Sequence, residues 1–147
     1  DKGLIPDGEY LVPIGKANVR RTGDACTIVS FGKILKTVHA AADELEKDGI
    51  SCEIIDLRTV KPLDYEAILK SVKKTNRLVV LEEAWPFGNV ATEVTYHVQA
   101  HAFDYLDAPI VKINTADTPA PYSPVLLEEW LPNHKDVVNA VKKVLYK

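Results

Sequence analysis

Cys26-Thr27-Ile28-Val29-Ser30-Phe31 is a run of β-forming residues that stops at Gly32, and beyond it Ile34, Val38, Ala41, Ala42 and Leu45 recur at helical spacing as far as Gly49. A short apolar run bounded by glycine reads as a buried strand, and the 3.6-residue period reads as an amphipathic helix with a glycine at its C-terminal cap. The same sentence is then repeated. Cys52 to Leu57 is a strand, and Ile68, Leu69 and Val72 mark a helix starting near Asp64, a residue suited to the N-cap. Leu78 to Leu81 is the next buried strand, Val90, Val94 and Val98 the next helix, and Ile110 to Ile113 a further strand. Strands that are apolar on both faces and alternate with amphipathic helices require a parallel sheet covered on both sides, so the fold class is α/β.

The flanks complete the domain. Residues 1–17 hold Gly3, Pro6, Gly8, Pro13 and Gly15, a density of chain breakers that reads as a linker from something upstream. The absence of an initiating methionine ahead of Asp1 points to a piece cut from a longer product. Lys16 to Arg21 suits a short strand at a sheet edge, turning at Thr22-Gly23-Asp24. After the last strand a proline-rich turn, Thr118 to Pro124, leads into a short helix through Leu126, Leu127 and Trp130. A final helix, Asp136 to Tyr146, turns Val137, Val138, Val141 and Leu145 inward, with Lys142, Lys143 and Lys147 at the negative end of its dipole.

With 147 residues and 46% hydrophobic content the chain suits one domain with an ordinary core. A net charge of -3 offers no basic surface for nucleic acid or an anionic membrane. No apolar run approaches the roughly 20 residues of a membrane span and no signal peptide opens the chain, so a soluble, intracellular protein is expected. Cys26 and Cys52 lie in strand-like runs without a C-x-x-C spacing, and read as small buried hydrophobes.

The residues that could carry chemistry read as structural. A dinucleotide fold needs G-x-G-x-x-G after its first strand, whereas Phe31-Gly32-Lys33 supplies one glycine and reads as a strand-to-helix turn. His97 and His101 share a helix face but lack the Glu next to the first His that a zincin uses as base. Beside the Val90 and Val94 stripe, they read as residues packed in a core or interface. His39 and His134 read as surface residues. Glu82 and Glu83 end a strand and point to opposite faces, which rules out an acid/base pair and favours structural or interface roles. Asp56 and Arg58 share a face and suit an ion pair. Trp85 and Phe87, in a loop with Pro86, need a cover, either from a partner or from the domain itself, and both remain open. Tyr122 and Trp130 pose the same question.

Three segments carry a family resemblance: Ile55-Asp56-Leu57-Arg58-Thr59-Val60-Lys61-Pro62-Leu63-Asp64, Leu81-Glu82-Glu83-Ala84-Trp85-Pro86-Phe87-Gly88-Asn89 and Ala116-Asp117-Thr118-Pro119-Ala120-Pro121-Tyr122-Ser123-Pro124. In order and spacing they resemble the C-terminal domain of the beta subunit of the thiamine-dependent first component of pyruvate dehydrogenase, and the resemblance runs from Asp1-Lys2-Gly3 to Lys142-Lys143-Val144-Leu145. It implies a three-layer α/β/α sandwich over residues 18–147, of the transketolase C-terminal type, with a mostly parallel five-stranded sheet and one antiparallel edge strand. It also implies a parent enzyme that decarboxylates pyruvate and transfers acetyl to lipoamide. In that family thiamine diphosphate and Mg²⁺ lie between the alpha subunit and the missing N-terminal domain of the beta subunit, so no catalytic, cofactor or metal residue is expected here.

The implied partners are an alpha subunit and a second beta subunit in an alpha2beta2 tetramer, and the peripheral subunit-binding domain of a dihydrolipoyl acetyltransferase, with Tyr146 and Lys147 nearest that docking surface. The expected interface set is Glu82, Glu83, Trp85, Phe87, Tyr122, Trp130, Tyr146 and Lys147. The implied compartment is bacterial cytoplasm, or the mitochondrial matrix or plastid of a eukaryote. The alternatives are the same domain of a branched-chain 2-oxo acid dehydrogenase, and a stand-alone flavodoxin-like module holding a ligand around Gly32 and Glu82.

Overall fold

The computed structural model describes residue 4 and residues 7–147, so Gly3 and Pro6 of the expected linker lie outside the described residues. Five strands form one sheet in the order β1-β3-β2-β4-β5: β1 Asn18–Arg21, β2 Cys26–Ser30, β3 Cys52–Asp56, β4 Leu78–Leu81 and β5 Val111–Ile113. Only β1, at the edge, runs antiparallel, paired to β3 with an irregularity between Val19 and Arg21. The remaining pairs are parallel. Helices cover both faces: α1 (Leu35–Lys47) and α5 (His134–Val144) share one core with Ile28, Ile54 and Val79. On the other face α2 (Tyr65–Thr75) and α3 (Val90–Ala102) pack against Val29, Ile55, Leu78 and Val80. The alternation of sides along each strand is the two-residue period of β structure, which is why the strands read as continuous apolar runs.

Caps set the boundaries. Asp64 ends the approach to α2 and accepts the Ala67 N–H at 3.2 Å through one oxygen, while its other oxygen accepts the Ala17 N–H at 3.0 Å. One carboxylate thus starts a helix and ties down the segment entering β1. The last helix begins at His134, ahead of the expected Asp136, because Asn133 and Asp136 close a reciprocal capping box. It ends at Val144, so Tyr146 stands beyond it in left-handed backbone at φ 56°.

A polar seam joins the sheet to α2. Thr27 Oγ1 lies 2.7 Å from both Ser71 Oγ and Thr75 Oγ1, all three buried, and joins β2 to α2. Cys26 and Cys52 are opposed across the β2 and β3 pair and are buried thiols, as the sequence indicated. Burial raises both pKa values, that of Cys52 to about 11, which keeps them protonated and inert.

Candidate functional site

The chain leaves β2 for β3 on one side and returns to β4 on the other, so the sheet changes direction between β2 and β4. In open α/β sheets the crevice at that point, outside the carboxyl ends of the strands, is where ligands and partners gather. Here Phe31, at the end of β2, faces the Glu82 to Val90 loop, at the end of β4, across an open depression of about 570 Å³.

The two adjacent carboxylates part company, as expected of neighbours on a strand. Glu82 is 1% exposed and accepts the Ala91 N–H at 2.9 Å and the Asn114 Nδ2–H at 3.3 Å. Placed at the first turn of α3, it satisfies an orphan amide and faces the positive end of the dipole. Glu83 is exposed to solvent. Neither can serve the other as acid or base. Asn89 completes the start of α3 by accepting from the Thr92 N–H at 2.9 Å, and its amide donates to the Trp85 carbonyl. Lys112 Nζ closes the loop from β5, donating to the Pro86 carbonyl at 3.1 Å and to Thr92 Oγ1 at 2.7 Å.

The aromatics stand on this locked frame. Trp85 is 53% exposed and Phe87 91% exposed, so the domain covers about half of Trp85 and almost none of Phe87. Trp85 Nε1 donates to the Thr118 carbonyl at 3.0 Å, and Trp130 Nε1 donates to the same oxygen at 2.9 Å. The Trp85 loop, the proline-rich turn and α4 (Pro124–Trp130) are thereby joined at one atom. Tyr122 is fully exposed, and α4 buries none of its residues, with Val125 and Leu126 outward. Beside Trp130 a second depression of about 320 Å³ is lined by Pro119, Pro121 and Leu126. The structure therefore brings Glu82, Glu83, Trp85, Phe87, Tyr122 and Trp130 to one edge of the sheet. Tyr146 and Lys147 are elsewhere: the Tyr146 hydroxyl donates to the Asp107 carbonyl at 3.2 Å, near the loop preceding β5.

Several other sites read from sequence change in detail. Asp56 meets Arg58 through the main chain, its Oδ1 accepting the Arg58 N–H at 3.1 Å, while the guanidinium lies 3.5 Å from the Tyr10 hydroxyl. His97 and His101 are not in the core. The buried stripe of α3 is Ala91, Val94, Val98 and Ala102, displaced around the helix from the Val90 position by its small residues. His97 is half-buried and His101 exposed. His97 stacks on Tyr65 at 3.8 Å, and burial with the neighbouring His101 lowers its pKa. His39 and His134 are half-buried, and His134 Nε2 lies 3.6 Å from Glu44. The shared Thr118 acceptor and Asn114 were missed by the sequence reading, because neither residue type announces a partner across the fold. The Asn89 cap had a signal in the Asn preceding a helical period.

The crevice suits a protein surface better than a phosphorylated ligand. Glu82, Glu83 and Glu93 all line it, so an anion would enter against their field. Gly32, at φ 72°, serves the turn into a 3₁₀ segment before α1. Among the described residues no three His, Cys, Asp or Glu side chains gather to hold a metal ion, and no helix is long and apolar enough to cross a membrane.

Known proteins place this architecture. Residues 15–137 match the family described as the transketolase C-terminal domain. The chain is 50% identical over 135 residues to the pyruvate dehydrogenase E1 component subunit beta of Rickettsia bellii, covering 92% of this chain and 42% of that one. It is 40% identical over 144 residues to the beta subunit of acetoin:2,6-dichlorophenolindophenol oxidoreductase of Bacillus subtilis, covering 98% and 42%. The solved structure of a split-gene transketolase, an inactive beta4 tetramer, superposes with a TM-score of 0.82 at 29% identity over 97% of this chain and 46% of that one. The chain spans less than half the length of the curated relatives it matches. From its parallel sheet with one antiparallel edge and its match across most of its length, the chain belongs to the transketolase C-terminal domain family.

Proposed function

We propose that this chain is the C-terminal assembly domain of a pyruvate dehydrogenase beta subunit, with residues 1–17 linking it to the preceding domain. The whole enzyme decarboxylates pyruvate oxidatively and passes the acetyl group to lipoamide, while this domain holds subunits together. The observation that carries the reading is the exposed aromatic edge of Trp85 and Phe87, mounted on a loop already fixed by Asn89, Lys112 and the Thr118 carbonyl, with Tyr122 exposed on the proline-rich turn that carries that carbonyl. Exposed aromatics on a preorganised surface gain affinity because little ordering entropy is lost on association.

The cofactor, thiamine diphosphate with Mg²⁺, belongs in this reading to the alpha subunit and the missing domain. Glu82, one of three carboxylates lining the crevice, already serves as a structural acceptor. The partners are an alpha subunit and a second beta subunit, and the end of the chain, with Tyr146 and Lys147, faces the acetyltransferase core. The enzyme works in the cytoplasm of a bacterium or in the corresponding organelle.

The test is sedimentation of the full-length beta subunit mixed with its alpha subunit. With Phe87→Ala and Trp85→Ala together, the tetramer dissociates at concentrations where the unmodified protein stays assembled. Unchanged assembly with a normal melting temperature overturns the interface role of this edge.

A further inference from the structure

The helix α3 carries a pair of histidines outside the aromatic edge described above. His97 and His101 are one turn apart, and their imidazole rings lie 4.3 Å apart, tilted by 45°. Their four ring nitrogens make no hydrogen bond or ion pair among the described residues, and the rings touch Tyr65 and each other. A histidine used for packing or charge usually engages at least one nitrogen. Here neither residue does so among the described residues; His97 is half-buried and His101 is exposed.

The pair is also held in place. Tyr65, the first residue of α2, stacks on His97 with its plane 24° away, and the Tyr65 hydroxyl donates to Glu93 at 2.7 Å. Glu93, His97 and His101 stand at successive turns of one helix, so Tyr65 is fastened at its hydroxyl and at its ring. That contact holds the His97 ring, while His101 beside it is exposed. Metal-bound imidazole nitrogens lie about 2 Å from the ion. Two histidines spaced i and i+4 share a helix face, so rotation of the exposed His101 side chain can bring a nitrogen of each ring to a common ion.

We infer that His97 and His101 form a two-histidine chelating site for a divalent transition-metal ion of the copper(II) class, open to water or an exogenous ligand at its remaining positions. Imidazole nitrogen suits such ions, and affinity among the first-row divalent metals peaks at copper. Mg²⁺ and Ca²⁺, which prefer oxygen ligands, are excluded by the same donor set. The buried thiols Cys26 and Cys52 are too enclosed to compete.

The test is titration of the purified chain with CuCl₂ in a non-coordinating buffer at pH 7.5, followed by calorimetry and by electron paramagnetic resonance. The expected result is one saturable site with nitrogen hyperfine structure from two imidazoles. His101→Ala and His101→Asn, which alter an exposed side chain and keep the fold, each weaken that site at least tenfold and reduce the bound nitrogens to one. His39→Ala and His134→Ala leave it unchanged. No saturable site in the unmodified chain, or equal affinity after His101→Ala, overturns the assignment; so does a site lost with His39 or His134 instead.

Discussion

Trp85 and Trp130, 45 positions apart in sequence, donate their indole N–H groups to the same oxygen, the carbonyl of Thr118. A carbonyl has two lone pairs, so both bonds can form together. The effect is to fix the loop after β4, the proline-rich turn and α4 relative to one another, although α4 has no buried residue of its own.

Replacing Trp85 with Phe keeps a large apolar ring and removes one of these donors. The expected cost in the isolated chain is about 1 kcal/mol, the net worth of a hydrogen bond, measured by urea unfolding. Phe87→Ala, at a side chain that is almost wholly exposed, changes stability by less than about 0.5 kcal/mol. A large destabilisation by Phe87→Ala would mean that the ring is packed within the domain.

Glu82 shows why burial alone does not mark a catalytic group. Its carboxylate is shielded from water, but Ala91 and Asn114 both donate to it. Glu82→Ala leaves the Ala91 amide without its acceptor and should cost about 2–3 kcal/mol, in the range for hydrogen bonds to charged groups. Glu82→Gln, whose amide oxygen still accepts, should cost clearly less. Equal losses in chemical denaturation would show that the charge itself, rather than the acceptor, anchors α3.

Thr27→Val is nearly isosteric, yet it removes the hydroxyl that stands between Ser71 and Thr75. Two buried hydroxyls then lose a partner, at an expected cost of about 1–3 kcal/mol. Crystals or amide exchange of the variant should show the loss confined to the β2 and α2 contact. The triple replacement with Ser71→Ala and Thr75→Val should recover part of it, because paired removal leaves no orphan group.

The two thiols give a probe of opening. With the Cys52 pKa raised to about 11 by burial, and that of Cys26 raised further, both are protonated in the native state at pH 8. A thiol pKa raised on folding favours the native state most where the unfolded thiol is protonated, and that contribution falls as pH climbs from the unfolded value toward the folded one. Stability should therefore decline above about pH 8.5, near the free thiol pKa. Iodoacetamide should modify neither residue at pH 8 until denaturant unfolds the domain. Rapid labelling of either thiol in native buffer would contradict their enclosure.

The order of elements was legible in the chain because it rests on local physics. Period-two and period-3.6 apolar patterns, the Asp64 cap and the glycine stops at Gly32 and Gly49 each act within a few residues, and they imply helices on both sides of a parallel sheet. Five strand-like runs and the edge position of the first came from the residues, and the family resemblance supplied the antiparallel direction of that edge. What stayed illegible depends on residues brought together from far along the chain. The face of α3 turned inward was misjudged because small residues, Ala91 and Ala102, set the closest approach to the sheet, and a valine count overlooks them. Composition cannot show that Glu82 is already occupied, that two tryptophans share one carbonyl, or that Tyr65 pins His97 while His101 stands open. Those contacts exist only once the sheet has placed β4, β5 and the helices beside one another, since hydrogen bonds and ring stacking depend on distance and orientation in space.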